Sequence, residues 1–167
     1  MDFKLRPFNI EDLDCLVRNA NNFKIAKFMS NGFPHPYTKE NGKTFIALAN
    51  KDKPVHIFTI DINGEASGGI GVHPQTDIHC RNMELGYWLA VQYWGHGIIT
   101  RAIIEIVDFA FKTYNDVDRI FARPFGTNLA SQKVLGKAGF KLEAKFEKAL
   151  YKNGEYLDEL IYAIRRK

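Results

Sequence analysis

One stretch of this chain combines residue types and spacing that could hold an anion: Glu84-Leu85-Gly86-Tyr87-Trp88-Leu89-Ala90-Val91-Gln92-Tyr93-Trp94-Gly95-His96-Gly97-Ile98. A long apolar strand runs into Gln-x-x-Gly-x-Gly and then directly into the most regular helix of the chain. Strand, glycine turn and helix start make an anion cradle, because first-turn amides lack helical partners and the helix dipole favours negative charge there. Gly95 and Gly97 would let a phosphate approach backbone that a Cβ shields. The same residues also suit a plain strand-to-helix turn, and Gly-x-Gly alone does not decide between the two. Neither familiar nucleotide signature is present: there is no Gly-Lys-Ser/Thr loop, and no Gly-x-Gly-x-x-Gly follows a strand.

The elements that must position this segment are legible in outline. Phe3 to Arg6 reads as a short strand, and Ile10 to Phe28 as a helical stretch begun by Asn9 as cap. Two prolines and a glycine within Asn31–Pro36 require a loop. A second helix is expected over Thr38–Ala49. Strands follow at Val55–Asp61 and Glu65–Val72, joined by an Asn63-Gly64 turn. Gly68, Gly69 and Gly71 weaken the second of them or let another backbone come close. A long third strand, about Ile78 to Val91, leads into the helix of Gly97–Lys112. In that helix Ile99, Ala102, Ile103, Ile106, Val107 and Ala110 line one face, opposite Arg101, Glu105, Asp108 and Lys112. A strand at Arg119–Arg123, a short helix at Asn128–Ala138 stopped by Gly139, and a hairpin about Asn153-Gly154 complete the chain. The order predicts an α+β fold around one central, mostly antiparallel sheet.

The chain has 167 residues, which favours a single domain over 1–167 burying roughly 70% of its unfolded surface. Hydrophobic content of 46% with 25% charged residues excludes a disordered tail, a collagen-like fibre and a membrane bundle. The first residues lack the apolar core of a signal peptide, so a cytoplasmic location is expected. Two cysteines, Cys15 and Cys80, are too few for a disulfide framework or a cysteine-based zinc site. The net charge of +4 suits a phosphate-bearing ligand or acidic partner, while the lack of any long like-charge run argues against a nucleic-acid arm. No His/Asp/Glu cluster has metal-ligand spacing, so no metal is expected.

Two blocks together resemble a known family. Gln92-x-x-Gly95-x-Gly97 after such a strand is similar to the pyrophosphate-binding motif of the GNAT superfamily, the acetyl-CoA-dependent N-acetyltransferases. Asn128-Leu129-Ala130-Ser131-Gln132-Lys133-Val134-Leu135-Gly136-Lys137-Ala138-Gly139-Phe140 resembles that family's Asn-x-x-Ser-x-x-Val-Leu-x-Lys-x-Gly-Phe segment. The opening Leu5-Arg6-Pro7-Phe8 and the closing hairpin extend the resemblance over essentially the whole chain. It comes nearest to the branch that acetylates the N-termini of ribosomal proteins, beside relatives acting on polyamines or antibiotics.

The resemblance implies a single-domain GNAT-like fold whose sheet splays to hold acetyl-CoA, flanked by about four helices. It implies that amides from Gln92 through Ile98, including those of Gly95, His96 and Gly97, bind the pyrophosphate. Leu89, Ala90 and Val91 would run beside the pantetheine as an added strand edge. An amide near Val91 would stabilise the oxyanion of acyl transfer. Asn128 would bond the pantetheine arm; as a helix N-cap it is equally well explained. Phe33, Tyr37, Glu84 and Tyr151 are implied on the acceptor side. The partners implied are an amine acceptor, either a small molecule or a protein N-terminus, and optionally a second copy of the chain in a homodimer. No nucleic acid and no membrane are expected.

The catalytic groups are less fully written. Many family members carry a tyrosine acid four residues before the Gly-Phe pair, and that position here is Leu135. Ser131 is the remaining polar group and the candidate acid; a serine bonding back to its own helix is the alternative. Glu84 is the candidate base, with pairing to Arg81 as the alternative. A thiol of pKa about 8.5 leaves readily, so an acid helps without being indispensable. Without the tyrosine, a non-catalytic acyl-CoA-binding module stays open beside the enzyme. The weak base set favours an α-amine acceptor over a polyamine or antibiotic amine.

Overall fold

The computed structural model describes all 167 residues. Its strands form one seven-stranded sheet in the order β1-β2-β3-β4-β5-β7-β6. These are β1 (Lys4–Arg6), β2 (Ile57–Ile62), β3 (Glu65–Pro74), β4 (Asn82–Leu89), β5 (Arg119–Ala122), β6 (Lys141–Lys152) and β7 (Glu155–Arg165). The β1–β2, β2–β3, β5–β7 and β6–β7 pairs are antiparallel, and β4–β5 is parallel. The helices are α1 (Leu13–Ala20), α2 (Phe23–Ala26), α3 (Lys39–Ala49), α4 (Ile98–Thr113) and α5 (Leu129–Lys137). The architecture is the expected α+β one.

By backbone contacts the chain divides into two compact units, Met1–Gly71 with Tyr87–Ala102, and Val72–Gly86 with Ile103–Lys167. Each is assembled from separated segments, so no linker marks the division. In the first unit, Phe8, Leu16, Ala20, Ile25, Tyr37, Ile46, Ala49, Ile57, Ala66 and Trp88 form a buried cluster. Here Gly68 and Gly69 permit close approach: a Cβ on Gly68 would stand 2.6 Å from the Trp88 carbonyl oxygen, and one on Gly69 2.7 Å from the Trp88 indole nitrogen. In the second unit Met83, Leu85, Ile103, Ile106, Ile120, Leu135 and Leu160 are buried. Arg166 closes the end of α4 there, its guanidinium donating to the carbonyls of Phe111, Tyr114 and Val117 at 2.7–2.8 Å. That satisfies orphan carbonyls and complements the helix dipole.

Local sequence explains most elements. The expected apolar face of α4 is buried from Ala102 to Ala110, with Ile99 half-buried, and its charged face is exposed, with Lys112 paired to Asp108 at 2.7 Å. Asn63-Gly64 and Asn153-Gly154 both turn with positive φ at each residue, as two-residue hairpins require. Gly139 stops α5 at φ +92°.

Two expectations are corrected. The helix expected over Ile10–Phe28 is divided into a 3-10 turn (Ile10–Asp12), α1 and α2. Asn21 leaves helical geometry at ψ 66°, where its side-chain oxygen accepts from the Tyr37 amide at 2.9 Å, and Asn22 caps α2 through Lys24. This raises the helix count from about four to five. The long strand from Ile78 shortens to Asn82–Leu89 because Asp77–His79 forms a 3-10 turn opened by Asp77 at φ 55°.

Candidate active site

In the first unit the Gln-x-x-Gly-x-Gly turn is a short 3-10 turn (Val91–Tyr93) followed by two left-handed glycines, Gly95 at φ +81° and Gly97 at φ +70°. Only glycine holds such φ values without strain. A Cβ at either position would meet no atom within 4 Å, so both glycines front open space. The amides of Gly95, His96, Gly97 and Ile98 make no hydrogen bond within the protein. Gly95, His96 and Gly97 are exposed, and the Ile98 side chain is buried at the first residue of α4. The arrangement suits a solvent-facing anion such as a pyrophosphate.

Side-chain bonds of the turn's own residues, one of them to Asn19 in the same unit, fix it. Gln92 donates from Nε2 to Asn19 Oδ1 at 3.1 Å, and the buried Asn19 donates in turn to the Ala66 carbonyl at 2.9 Å. Trp94 Nε1 donates to the Leu89 carbonyl at 2.8 Å. The His96 ring nitrogen Nδ1 lies 2.9 Å from the Trp94 carbonyl. These three links were missed in the sequence, and the Asn19 tie spans 73 positions, with no local signal to reveal it.

The edge expected over Leu89, Ala90 and Val91 is shorter than anticipated. β4 ends at Leu89, the Ala90 amide donates to the Ser67 carbonyl at 2.8 Å, and Val91 begins the 3-10 turn. The Val91 amide has no partner within the protein, as an oxyanion donor requires. The β4–β5 ladder runs from Asn82↔Arg119 to Glu84↔Phe121 and stops, while β4 continues to Leu89. The ladder ends there because β5 itself ends at Ala122.

The second motif lies in the other unit. Asn128 caps α5, its Oδ1 accepting from the Ser131 amide at 3.1 Å. The cap leaves the Asn128 amide group as a donor, so cap and ligand contact are compatible roles. Ser131 is half-buried on the first turn of α5, and Leu135, at the family's tyrosine position, is fully buried. Gln132 donates to the Gly126 carbonyl at 3.0 Å, and the Gly126 amide donates to the Asp158 carbonyl at 2.8 Å. The turn that presents Asn128 is thereby clamped. Beside it, Gly126, Thr127, Tyr156, Leu157 and Asp158 line an open pocket of about 260 Å³.

Glu84 is half-buried as the third residue of β4, and its partner is Arg123 rather than Arg81. Arg123 donates to both carboxylate oxygens, at 3.0 and 2.7 Å, and Arg81 pairs instead with Asp118. The Glu84 carboxylate holds the Arg123 guanidinium firmly charged, raising its pKa despite partial burial. Tyr151 is exposed and packs at a tilt against Tyr156, with ring centroids 5.0 Å apart. Phe33 is half-buried against Tyr37 and Trp88 at 5.2 and 5.9 Å. Tyr37 departs from its expected place on an acceptor edge: it is only 5% exposed, and burial pushes its hydroxyl pKa up to about 12. Of the acidic residues before and within α1, Asp12 is bound to Arg6 and Asp14 to Lys39. No group of three or more His, Cys, Asp or Glu side chains is placed to hold a metal ion, and no helix is long and apolar enough to cross a membrane.

Comparison with known proteins agrees with this geometry. The acetyltransferase (GNAT) domain family matches residues 2–141. The N-acetyltransferase YoaA of Bacillus subtilis is 33% identical over 166 residues, covering 96% of this chain and 91% of the relative. A spermidine N(1)-acetyltransferase of Escherichia coli is 26% identical over 159 residues, covering 92% of this chain and 80% of the relative. The fold superposes on that of RimL, the ribosomal L7/L12 α-N-protein acetyltransferase in complex with coenzyme A, with a TM-score of 0.84 at 20% identity over 98% of this chain and 93% of the other. With a glycine turn of this geometry inside a matched region that takes in most of the sequence, the chain belongs to the GNAT family and is an acetyl-CoA-dependent N-acetyltransferase.

Proposed function

We propose that the chain transfers acetyl from acetyl-CoA to an α-amino group, on a protein N-terminus, a peptide or a small molecule, by direct attack of the amine on the thioester. The observation that carries the coenzyme half is the turn at Gly95 and Gly97, with left-handed glycines and a run of unpartnered amides at the start of α4. Those amides and the helix dipole would hold the pyrophosphate, and the Asn128 amide group would bond the pantetheine arm. The bound coenzyme supplies an activated acyl group with a good leaving thiolate. The Val91 amide would stabilise negative charge on the carbonyl oxygen, and Ser131 would return a proton to the departing sulfur.

The α-amine acceptor follows from what must be deprotonated. An amine of pKa near 7.8 costs about 1 kcal/mol to neutralise at pH 7, whereas one near 10.4 costs about 4.6 kcal/mol. Glu84, the candidate base, is already engaged by Arg123, and Asp12 and Asp14 beside α1 are paired with Arg6 and Lys39. Both facts favour the amine that needs least help. A polyamine acceptor is the second reading, favoured by the similarity to a spermidine acetyltransferase.

The test is thiol release across N-terminal peptides, polyamines, aminoglycosides and free amino acids at pH 7 and pH 9. Peptide or amino-acid α-amines should react fastest at pH 7. Spermidine acetylated faster at pH 7 than every α-amine would overturn the choice. Ser131→Ala should lower kcat roughly tenfold to a hundredfold while leaving acetyl-CoA affinity within about twofold, because its bond matters mainly in the transition state. Equal turnover in the two proteins would reduce Ser131 to packing.

A further inference from the structure

We propose that Arg123 reads a carboxylate carried by the acceptor beside its amine, while Glu84 receives the amine, so that the preferred substrates are amino-carboxylates. The inference rests on the α-amine reading and names the substrate class at the same site. Its basis lies within the second unit. Glu84 and Phe121 are register partners across β4 and β5, and Arg123 follows Phe121 at the two-residue spacing of one sheet face. The Phe121 ring stands between two guanidinium groups, Arg119 at 4.8 Å and Arg123 at 5.8 Å from its centroid. Arg119 is neutralised by Glu143, which also pairs with Arg165. The three guanidinium groups of Arg119, Arg123 and Arg165 are balanced by the carboxylates of Glu84 and Glu143 and by Glu159, whose charge also acts on Arg123.

The Glu84–Arg123 pair is accessible, with side chains 28% and 45% exposed. Arg123 binds Glu84 through Nε and Nη2, and its Nη1 makes no hydrogen bond within the protein. Each Glu84 oxygen accepts one of these bonds and retains a further lone pair. An acceptor bearing only an amine can use the remaining Glu84 lone pairs but leaves the Arg123 Nη1 donor without a partner. An acceptor bearing both groups gives each member of the pair a new partner and keeps the charges balanced. Guanidinium geometry matches a carboxylate in a planar, two-point contact. Gly86, the next residue on this face of β4, leaves the strand without a side chain beside Glu84, and a Cβ there would meet only His73, at 3.7 Å.

The experiment compares matched acceptors on the wild-type protein: a free amino acid against its carboxamide, and a peptide beginning with Asp against the same peptide beginning with Asn. The carboxylate member of each pair should show a kcat/KM at least tenfold higher. In Arg123→Gln the ratio should fall to near one through loss on the carboxylate member, with Arg123→Lys restoring part of it and acetyl-CoA affinity unchanged. The two pairs separate a small-molecule acceptor from a peptide. Equal kcat/KM within both wild-type pairs would overturn the inference and leave the α-amine reading standing. Acetylation of polyamines alone would overturn both. A wild-type preference that survives unchanged in Arg123→Gln would overturn the assignment to Arg123. The pair is exposed, so its loss should cost the fold little, and the wild-type comparison needs no variant.

Discussion

Valine in place of Gly97 should weaken acetyl-CoA binding at least a hundredfold in a protein that still folds. Gly97 sits at φ +70°, which a β-branched residue tolerates badly, so the turn would shift and re-aim the amides of Gly95 through Ile98. A valine Cβ would enter space that no protein atom approaches within 4 Å, so the obstruction falls on the ligand and not on the core. Loss of about two hydrogen bonds to a charged group, at roughly 1.5–3 kcal/mol each, accounts for a hundredfold or more. Backbone strain of about 1–3 kcal/mol should appear as a lower Tm, which a melting curve separates from the loss of binding. Calorimetric titration with acetyl-CoA measures the affinity. A folded variant that binds as tightly as the parent would mean that the anion cradle is somewhere else.

Arg6→Ala should remove about 3–5 kcal/mol of stability, the expected cost of stripping the partner from buried charge. Arg6 bridges Asp12 at 2.7 Å and Asp61 at 2.6 Å, and the two carboxylate side chains are 6% and 3% exposed. Asp12 also closes a reciprocal cap with Asn9, each side chain accepting from the other's amide. Burial pushes the Asp12 pKa upward, but its bonds to Arg6 and the Asn9 amide and the nearby positive charge outweigh this and hold it below the ordinary value. A depressed carboxylate pKa adds stability that is present above the unfolded value of about 3.9 and is lost as pH falls through the folded value. The parent should therefore lose stability in acid below about pH 4. The gap between parent and variant should narrow over the same range, because a protonated Asp12 no longer needs Arg6. Urea titrations at pH 7 and pH 3.5 would measure both effects. A difference under 1 kcal/mol at pH 7 would show that water or another side chain takes over the role of Arg6.

The glycine turn, α4, α5 and both Asn-Gly hairpins were readable from the residues alone because each is set by sterics within a few positions. Left-handed φ at Gly95, Gly97 and Gly139, and the stepping of apolar residues along α4, need no distant partner to be specified. The two motifs likewise pointed to the family, and the glycine turn that they contain has the left-handed backbone expected of it. Tertiary structure alone decided which charges neutralise one another. Arg123 and Glu84 are 39 positions apart, and Gln92 and Asn19 are 73 apart, and neither member of either pair shows its partner in its local sequence. The break between α1 and α2 has the same origin, since Asn21 leaves the helix where it binds the Tyr37 amide 16 positions away. Tyr37 read as a polar ring on a substrate edge and is instead packed against Phe33 in the core. Periodicity reports which face of an element is apolar, but the partner of a charged or aromatic side chain is fixed by chain closure. That is why the glycine turn could be read from the sequence, whereas the charge pairing around Glu84 emerged only from the fold.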